Sequence, residues 1–583
     1  MEKMAKMPSE RKYQNNDLGD PEDALIFRPE LPPRAATTVQ RSPPHVSNQN
    51  VFAVLVKNRR QITSLSAGLI VLLGSGVHTV WAFWELFFPT PWLETEVIVL
   101  VGSWYIATII GCAIAATLIP KWSKKNLYIL SAILLLLSSL LFISRLYPEM
   151  RTKTVLFSGR FLAGLANGLA YLTVIRQAAE NAVNQIRGVI LRGIGYVLAF
   201  SLFIAGITTK GTDDIGNDIQ AEWIMGFLNL FYSILALILA PLVTIESVPY
   251  LMQKANDGFS VSEREALAIK TMVKLRNERG ETPKIRHDFI EMKHHLNEDE
   301  LDSPNPFNRQ NLRPLFIIIG VRILSVCAKN LPFTLLIMIN FNHMIHSSTF
   351  SLYQLFLLLA CRFIFGMFAM FFIDKFERKK YLYIFSIMCG ISLLIICITN
   401  REETMMIDKT YLSIVIIIYF IFASMSIDCV GHVQTSEAFS YATKSMSICI
   451  ATGIEHLIHM IFIVIFKFEY NVLTFVLIAI GLIVMGLSTL LTVPAKTKGL
   501  SLRQTRDIYR NKQHVFPTET IIHSRSSFGL FYLELERTSH YQKDKGHHTT
   551  FYFIFYKDMD DRMFHKISNK NQFSRTKCGK VLK

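Results

Sequence analysis

The stretch VIVLVGSWYIATIIGCAIAATLI, residues 97–119, contains no charged side chain. As an α-helix that rises 1.5 Å per residue it would be about 35 Å long, enough to cross the ~30 Å hydrocarbon core of a bilayer. Similar runs recur along the chain, and only 18% of the 583 residues are charged, against roughly 25% in soluble domains. The sequence therefore predicts an all-α, polytopic membrane protein. It excludes a soluble enzyme, a fibrous protein and a wholly disordered chain.

Twelve apolar segments are predicted to be transmembrane helices, in the order six, a long polar gap, and six more. They are 64–88, 97–119, 127–144, 154–178, 188–208, 223–245, 314–340, 350–373, 381–398, 411–432, 444–466 and 470–493. Apolar residues spaced among the charges of the gap favour short amphipathic helices on the membrane face. The predicted organisation is a disordered cytosolic arm (1–60), a six-helix bundle (61–245), a cytosolic loop (246–311), a second six-helix bundle (312–495) and a disordered cytosolic tail (496–583).

The net charge of +16 comes from basic residues that lie between and after the apolar segments. Lys121, Lys124 and Lys125 follow the second segment, and Arg378 to Lys380 follow the eighth. Lys and Arg accumulate in the cytosolic loops of membrane proteins. The pattern predicts a multi-pass protein of the plasma membrane with both termini in the cytosol, where they can bind cytosolic partners. It favours the lipid bilayer over nucleic acid as the surroundings of the chain.

Sequence motifs for cofactor or metal chemistry are missing. The eight cysteines show no CxxC or paired spacing, so neither a disulfide framework nor a zinc site is predicted. The chain has no Walker motif, HExxH, GxSxG or dinucleotide fingerprint. We therefore predict no cofactor, no metal and no enzymatic activity, and a small-molecule solute as the partner.

An acid-and-base pattern repeats in the two halves of the chain. Arg187 follows Glu180 by seven residues, and Lys444 follows Glu437 by the same spacing. Lys124 precedes Glu180 by 56 residues, and Arg378 precedes Glu437 by 59. Two six-helix halves related by a repeat are typical of alternating-access transporters, which bind solute between the halves near the membrane midplane.

Several stretches resemble motifs of the sugar porter family of the major facilitator superfamily, over roughly 60–510. The most specific are GRFLAGLANG (159–168), similar to the family's GRFxxGxxxG; DKFERK (374–379), similar to D-R-x-G-R-R with Glu377 in place of glycine; and SEAF (436–439) with Lys444, similar to SExF…R. The resemblance implies the major facilitator fold, two six-helix bundles that expose a central site alternately to the two sides of the membrane.

Nine charged residues, most of them in these motifs, are predicted at the cytosolic helix ends. They are Lys124, Arg160, Glu180, Arg187, Glu246, Asp374, Arg378, Glu437 and Lys444. There, opposite charges can pair between the halves when the inner face closes and separate when it opens. We interpret them as a cytoplasmic gate. The simpler alternative is that these charges only set the topology.

The resemblance implies that uncharged polar side chains hold sugar hydroxyls, but this sequence departs from the family at those positions. They are occupied by Gly195, Val326, Cys327, Pro332, Arg362, His432 and Glu455. The residues predicted to line the substrate cavity are Trp81, Tyr171, Arg362, Asp428, His432, Glu455, His456 and His459. Further charges within the predicted spans are Arg192, Arg322 and Lys329. A charge there costs at least ~2.5–3.5 kcal/mol and normally faces a cavity or a partner.

Arg362 leaves two hypotheses about the charge of the solute open. If it faces the cavity unpaired, it favours an anionic solute; if Asp428 or Glu455 neutralises it, a neutral sugar is acceptable. We expect facilitated uptake of a small solute, in the first place a sugar. The alternatives are an organic-anion or proton-coupled carrier on the same fold, and a sensor or scaffold that does not transport.

Overall fold

The computed structural model describes residues 51–87, 93–213, 218–253, 260–300, 302–329, 352–373, 377–401, 409–468, 472–494, 497 and 500–510. The arm up to residue 50, Asp374 and the tail after residue 510 lie outside the described residues. The helices in chain order are α1 (Val51–Lys57), α2 (Arg59–Thr63), α3 (Ser66–Phe87), α4 (Glu94–Leu118), α5 (Lys124–Ser144), α6 (Lys153–Asn181), α7 (Arg187–Asp213), α8 (Asp218–Val243), α9 (Val248–Gln253), α10 (Val261–Leu275), α11 (Pro283–Glu300), α12 (Arg309–Lys329), α13 (Leu352–Phe372), α14 (Arg378–Arg401), α15 (Lys409–Glu437), α16 (Tyr441–Phe468), α17 (Val472–Thr492) and α18 (Leu502–Tyr509).

Eight of the described helices are long and apolar enough to cross a membrane: α4 to α8, α12, α14 and α16. The other four predicted spans coincide with shorter apolar stretches, namely Ser66–Ala82, Leu359–Phe372, Ile414–Met425 and Val476–Thr492. All twelve predicted spans therefore correspond to apolar helices in the described part of the chain.

The spans pack as two sets of six. In the first set α3 packs on α7 and α8, and α4 on α6; in the second, α14 packs on α15 and α17. The two sets meet along α4 with α16 and along α7 with α13. Gly164 and Gly168 allow α6 to approach α4 closely, because a Cβ at either position would collide with the carbonyl oxygens of Trp104 and Thr108.

The first bundle begins earlier than the sequence predicts. Residues 51–60 are predicted to be disordered, but they form α1 and the start of α2. The polar side chains here bind the backbone and one another instead. Asn58 Nδ2 donates to the Val54 carbonyl at 2.9 Å, and buried Gln61 donates to Asn58 Oδ1 at 3.1 Å and accepts from the Val183 N–H at 3.2 Å.

The central loop contains α9, α10 and α11. These helices are predicted to lie on the membrane face, but they bury apolar side chains against one another. Ile245, Val248, Met272, Leu275 and Phe289 are in a separate small core. We call the membrane face at which α9 to α11 and α18 lie the loop face.

The tail also contains an ordered helix that the sequence prediction misses. The arginines of α18 bind acids at the end of α11: Arg503 donates to Glu298 at 2.5 Å, and Arg506 donates to Asp299. Just beyond the two helices, Arg510 donates to Asp302 at 2.7 Å. Asp299 also accepts from the Tyr441 N–H at the start of α16 at 2.7 Å. The tail helix is thus fastened to the loop helices and, through Asp299, to the second bundle.

We expect α18 to loosen from α11 as the pH falls from about 6.5 toward 4. Burial, and then the charge of Arg506, lower the pKa of His295 from 6.5 to about 4. The docked state therefore binds fewer protons than the undocked one, so docking is fully stable above pH 6.5 and weakens as the pH drops toward 4. Hydrogen exchange of the α18 amides, corrected for intrinsic rates, measures this loosening.

The control for this pH effect is His295→Gln, which removes the titrating ring. Its α18 amides should show a smaller change in protection between pH 7 and pH 4.5 than those of the parent. A parent protein with equal protection at both pH values would contradict the prediction.

Candidate functional site

Glu180, at the loop-face end of α6, is the acidic centre of the first bundle. Its Oε1 accepts from Arg176 Nε at 2.7 Å, and its Oε2 lies 4.0 Å from Lys124 Nζ. All three side chains are buried. Glu246 accepts from the N–H groups of Lys124 at 3.0 Å and Lys125 at 3.2 Å, so its carboxylate caps the positive end of α5.

Glu437, at the loop-face end of α15, holds the corresponding position in the second bundle. It forms an ion pair with Arg378, the first residue of α14. Its other oxygen lies 3.6 Å from Arg187 Nη1, which belongs to the first bundle. Glu437 therefore joins the two bundles directly, in a pair whose side chains are only 3% and 2% exposed.

Arg176 makes a second link between the bundles on the loop face. It donates to Ser445 Oγ of α16, and its guanidinium lies 4.4 Å from the Tyr441 ring centroid. Lys444, which is 3% exposed, interacts electrostatically with Glu180 and Glu437. Each acid thus faces bases of both bundles.

Seven of the nine predicted gate residues meet in this cluster on the loop face. They are Lys124, Glu180, Arg187, Glu246, Arg378, Glu437 and Lys444. An eighth, Asp374, lies outside the described residues.

The structure contradicts the prediction for the ninth residue, Arg160, which lies outside this cluster. Because α6 starts at the opposite face, its eighth residue, Arg160, is about 30 Å along the helix axis from Glu180. The guanidinium donates to the carbonyls of Leu100 at 3.0 Å and His78 at 3.0 Å, and lies 4.5 Å from the Trp81 ring centroid. Arg160 therefore ties α3, α4 and α6 together within the first bundle.

A second polar cluster lies between the bundles and is centred on Arg322 of α12. Arg322 donates to Glu455 at 2.9 Å and to Thr435 Oγ1 at 3.2 Å. It also donates to the Tyr171 hydroxyl at 2.9 Å, and Tyr171 lies in the first bundle. His432 Nδ1 is 3.0 Å from that hydroxyl and 3.2 Å from Arg322 Nη2. Three of the predicted cavity residues, Tyr171, His432 and Glu455, are therefore in direct contact through Arg322.

One of the two acids that we considered as partners for Arg362 forms an ion pair with another arginine. Glu455 pairs with Arg322, because α16 turns this side chain toward α12. Arg362 is half-buried in α13, and its charge interacts with that of Arg192 in α7. Asp428 lies in α15, but its side chain is outside the description, so the pairing of Arg362 with Asp428 stays a prediction.

The remaining predicted cavity residues lie apart from the Arg322 cluster. The His459 ring stacks on Tyr105 of α4 with ring centroids 5.5 Å apart, and His456 contacts Trp104 and Tyr105 at 6.0 and 5.9 Å. This places both histidines at the α4–α16 contact between the bundles. Trp81 is 2% exposed and packs on Phe142 and Arg160, inside the first bundle.

Two arginines of the site, Arg176 and Arg322, are absent from the residues that the sequence predicts for the gate and the substrate cavity. Arg176 stands four residues before Glu180, a spacing that forms ion pairs on one helix face, so that signal was available. Arg322 is one of several charges inside a predicted span, and no spacing marks it as the partner of Glu455. Among the described residues, no group of His, Cys, Asp and Glu side chains could hold a metal ion.

Twelve apolar helices in two packed sets, with paired charges between them at one face, define a membrane carrier of the major facilitator type. The chain belongs to the family "Sugar (and other) transporter", which it matches over residues 46–509. This is a family of transporters and not of enzymes. No curated protein sequence matches the chain.

Solved structures with the same fold include the proton:xylose symporter XylE bound to 6-bromo-6-deoxy-D-glucose. That structure is 18% identical, with a TM-score of 0.59 over 79% of this chain and 99% of that chain. The inward-open xylose transporter XylE from E. coli is 17% identical, with a TM-score of 0.55 over 79% of this chain and 100% of that one. The predicted fold of two six-helix bundles is therefore confirmed.

Proposed function

We propose that the chain carries a small polar solute across the membrane by alternating access, with the charge cluster of the loop face as its gate. The observation that carries this proposal is the buried contact of Arg187 with Glu437, one residue from each bundle. A pair that only set topology would have no need of a partner in the other bundle. A carrier needs contacts that form and break between bundles as the two faces alternate.

The loop face is proposed to be the cytosolic face, in the plasma membrane. Lys121, Lys125, Lys379 and Lys380 lie at this face, which agrees with the enrichment of basic residues in cytosolic loops. Both termini would then be cytosolic, because α1 and α18 lie next to helices of the loop face, α1 through the Lys57–Glu278 ion pair and α18 through Arg503 and Glu298.

A sugar-like solute is the substrate class that the centre supports best. Arg322 and Glu455 neutralise each other at 2.9 Å, and the adjacent groups are the Tyr171 hydroxyl, His432 and the Thr435 hydroxyl. Such donors and acceptors suit the hydroxyls of a polyol. The similarity to a xylose symporter and the name of the family agree with this substrate class.

Uptake into liposomes that contain the purified full-length protein tests the proposal. We expect saturable uptake of a labelled hexose or pentose above that of empty liposomes. We also expect Tyr171→Phe to lower it, because the variant loses the hydroxyl that contacts Arg322 and His432 while the ring remains. If hexose, pentose and sugar acids all enter the protein-containing liposomes no faster than empty ones, the result would contradict transport and favour the sensor or scaffold.

Proton coupling is a second candidate, favoured by the position of Glu455. A carboxylate that holds Arg322, which in turn holds Tyr171 of the other bundle, would release this contact when it is protonated. Uptake driven by an inward proton gradient should then exceed uptake without the gradient, and Glu455→Gln should abolish the difference. Equal uptake rates with and without the gradient would contradict proton coupling and favour facilitated transport.

A further inference from the structure

Arg192 of α7 is a buried arginine with unused hydrogen-bond donors. It is 2% exposed, and its Nη2 donates to the main-chain carbonyl of Ser424 at 3.0 Å. Within the part of the chain that the structure describes, its Nε and Nη1 have no hydrogen-bond acceptor. Buried donors are normally paired, and an intramembrane arginine usually faces a partner or a pathway. These donors therefore suit an acceptor that the described residues do not supply, such as a bound anionic solute.

The surroundings of Arg192 connect it with the central polar cluster. An ideal Cβ at Gly195 would lie 3.3 Å from Arg192 Nη1 and 3.2 Å from His432 Nε2. The Arg192 guanidinium and the His432 imidazole are therefore both next to Gly195, where α7 has no side chain. On the other side, an ideal Cβ at Gly366 of α13 would lie 3.8 Å from Arg192 Nη2. A ligand at Arg192 would therefore be next to His432, whose other ring nitrogen contacts Tyr171.

Arg192 also has a like charge beside it. Arg322 is neutralised by Glu455, whereas the charges of Arg192 and Arg362 repel each other. A solute that places a negative charge at Arg192 would reduce this repulsion.

We propose that Arg192 binds the carboxylate of an acidic sugar, while His432 and Tyr171 bind its hydroxyls. The planar guanidinium offers two donors in a fixed geometry that matches a carboxylate. The inference rests on the proposed function and names the substrate class of the same site. The solute would take the place of direct contacts between the bundles, such as that of Tyr171 with His432, when the centre opens.

Binding by the purified full-length protein in detergent tests this inference without any gradient. The probes are D-glucuronate and D-glucose, two pyranoses that differ only in the carboxylate at C6. We expect glucuronate to bind roughly tenfold or more tightly, as a charge-assisted hydrogen bond implies. Equal affinities, or tighter binding of glucose 6-phosphate than of glucuronate, would overturn the proposal. The proposal would also be overturned if acetate or chloride bound as tightly as glucuronate, because the site would then be one for free anions.

Variants of Arg192 assign the effect to this side chain. Arg192→Gln should weaken glucuronate binding roughly tenfold or more and leave glucose binding unchanged. Arg192→Lys should lose less glucuronate affinity, because lysine keeps the positive charge but lacks the planar guanidinium. Ser424→Ala is the matched control, since the carbonyl that accepts from Arg192 remains, and it should bind as the parent does.

Unchanged glucuronate affinity in Arg192→Gln would overturn the proposal. If that variant does not fold, the affinity of Arg192→Lys and the selectivity of the parent decide instead. Because binding is measured without transport, a protein that binds glucuronate but fails in liposomes contradicts only the transport proposal.

Discussion

Replacing Arg322 by methionine should lower the free energy of unfolding by roughly 3–5 kcal/mol, because Glu455 would stay buried without its partner. Arg322 is 2% exposed and donates to Glu455 at 2.9 Å. The same guanidinium bonds Tyr171 and Thr435, so its loss also leaves these hydroxyls without their donor. Denaturant titration of the purified protein in detergent, followed by intrinsic fluorescence, measures the change.

A second substitution separates the lost ion pair from the lost packing. Arg322→Met combined with Glu455→Leu removes both charges and should recover much of the stability, since well-packed apolar residues can replace a buried pair at little cost. Lys153→Met is the comparison at an exposed pair: Lys153 lies 2.5 Å from Glu96, and the two side chains are 57% and 35% exposed. It should cost no more than about 1 kcal/mol.

The opposite result would have a definite meaning. If Arg322→Met is as stable as the parent, Glu455 is uncharged in the folded protein. The ion pair would then not hold the centre, and the argument for a neutral centre through this pair would fail.

The charge cluster of the loop face was predictable from the sequence because its residues recur in register in both halves. The spacing of Glu180 to Arg187 and of Glu437 to Lys444 reports helix ends at one face, and all four side chains are buried in the cluster there. Arg160 belongs to a motif of the same family, but the direction of its helix places it near the other end. A motif match identifies the residue, whereas the helix direction decides the face.

The centre was only partly predictable. The sequence shows that Arg192, Arg322 and Arg362 lie inside spans, but the partner of Glu455 depends on how α16 is rotated against α12 and α13. Rotations of that kind are fixed by packing over the whole bundle and leave no local pattern. The ordered residues 51–60 and 502–509 were missed for a related reason: their polar side chains suggest disorder until the contacts of Asn58 with Gln61 and of Arg506 with Asp299 are known.

Glu437→Gln should shift the protein toward a state that is open at the loop face. The substitution removes the charge that holds Arg187 of the other bundle at 3.6 Å and leaves two buried arginines, Arg187 and Arg378, without their acid. A loss of about 1–3 kcal/mol in the closed state would change the ratio of the two states by roughly 5- to 150-fold.

Spin-label pairs on the two faces measure this shift. Lys121→Cys and Lys380→Cys place labels on exposed positions of the two bundles near the loop face, and Tyr147→Cys with Ile398→Cys does so near the other face. In Glu437→Gln the first distance distribution should move to longer values, while the second should not lengthen.

Glu180→Gln should cause a smaller shift than Glu437→Gln, because the direct partners of Glu180, Arg176 and Lys124, belong to its own bundle. Glu222→Gln is the control: its ion pair with Arg145 is buried as well, but both residues belong to the first bundle and lie near the other face. It should leave both distributions as in the parent. If Glu437→Gln also gives the parent distributions, the buried acids of the loop face hold their helix ends in place and set topology, and the gate must lie elsewhere.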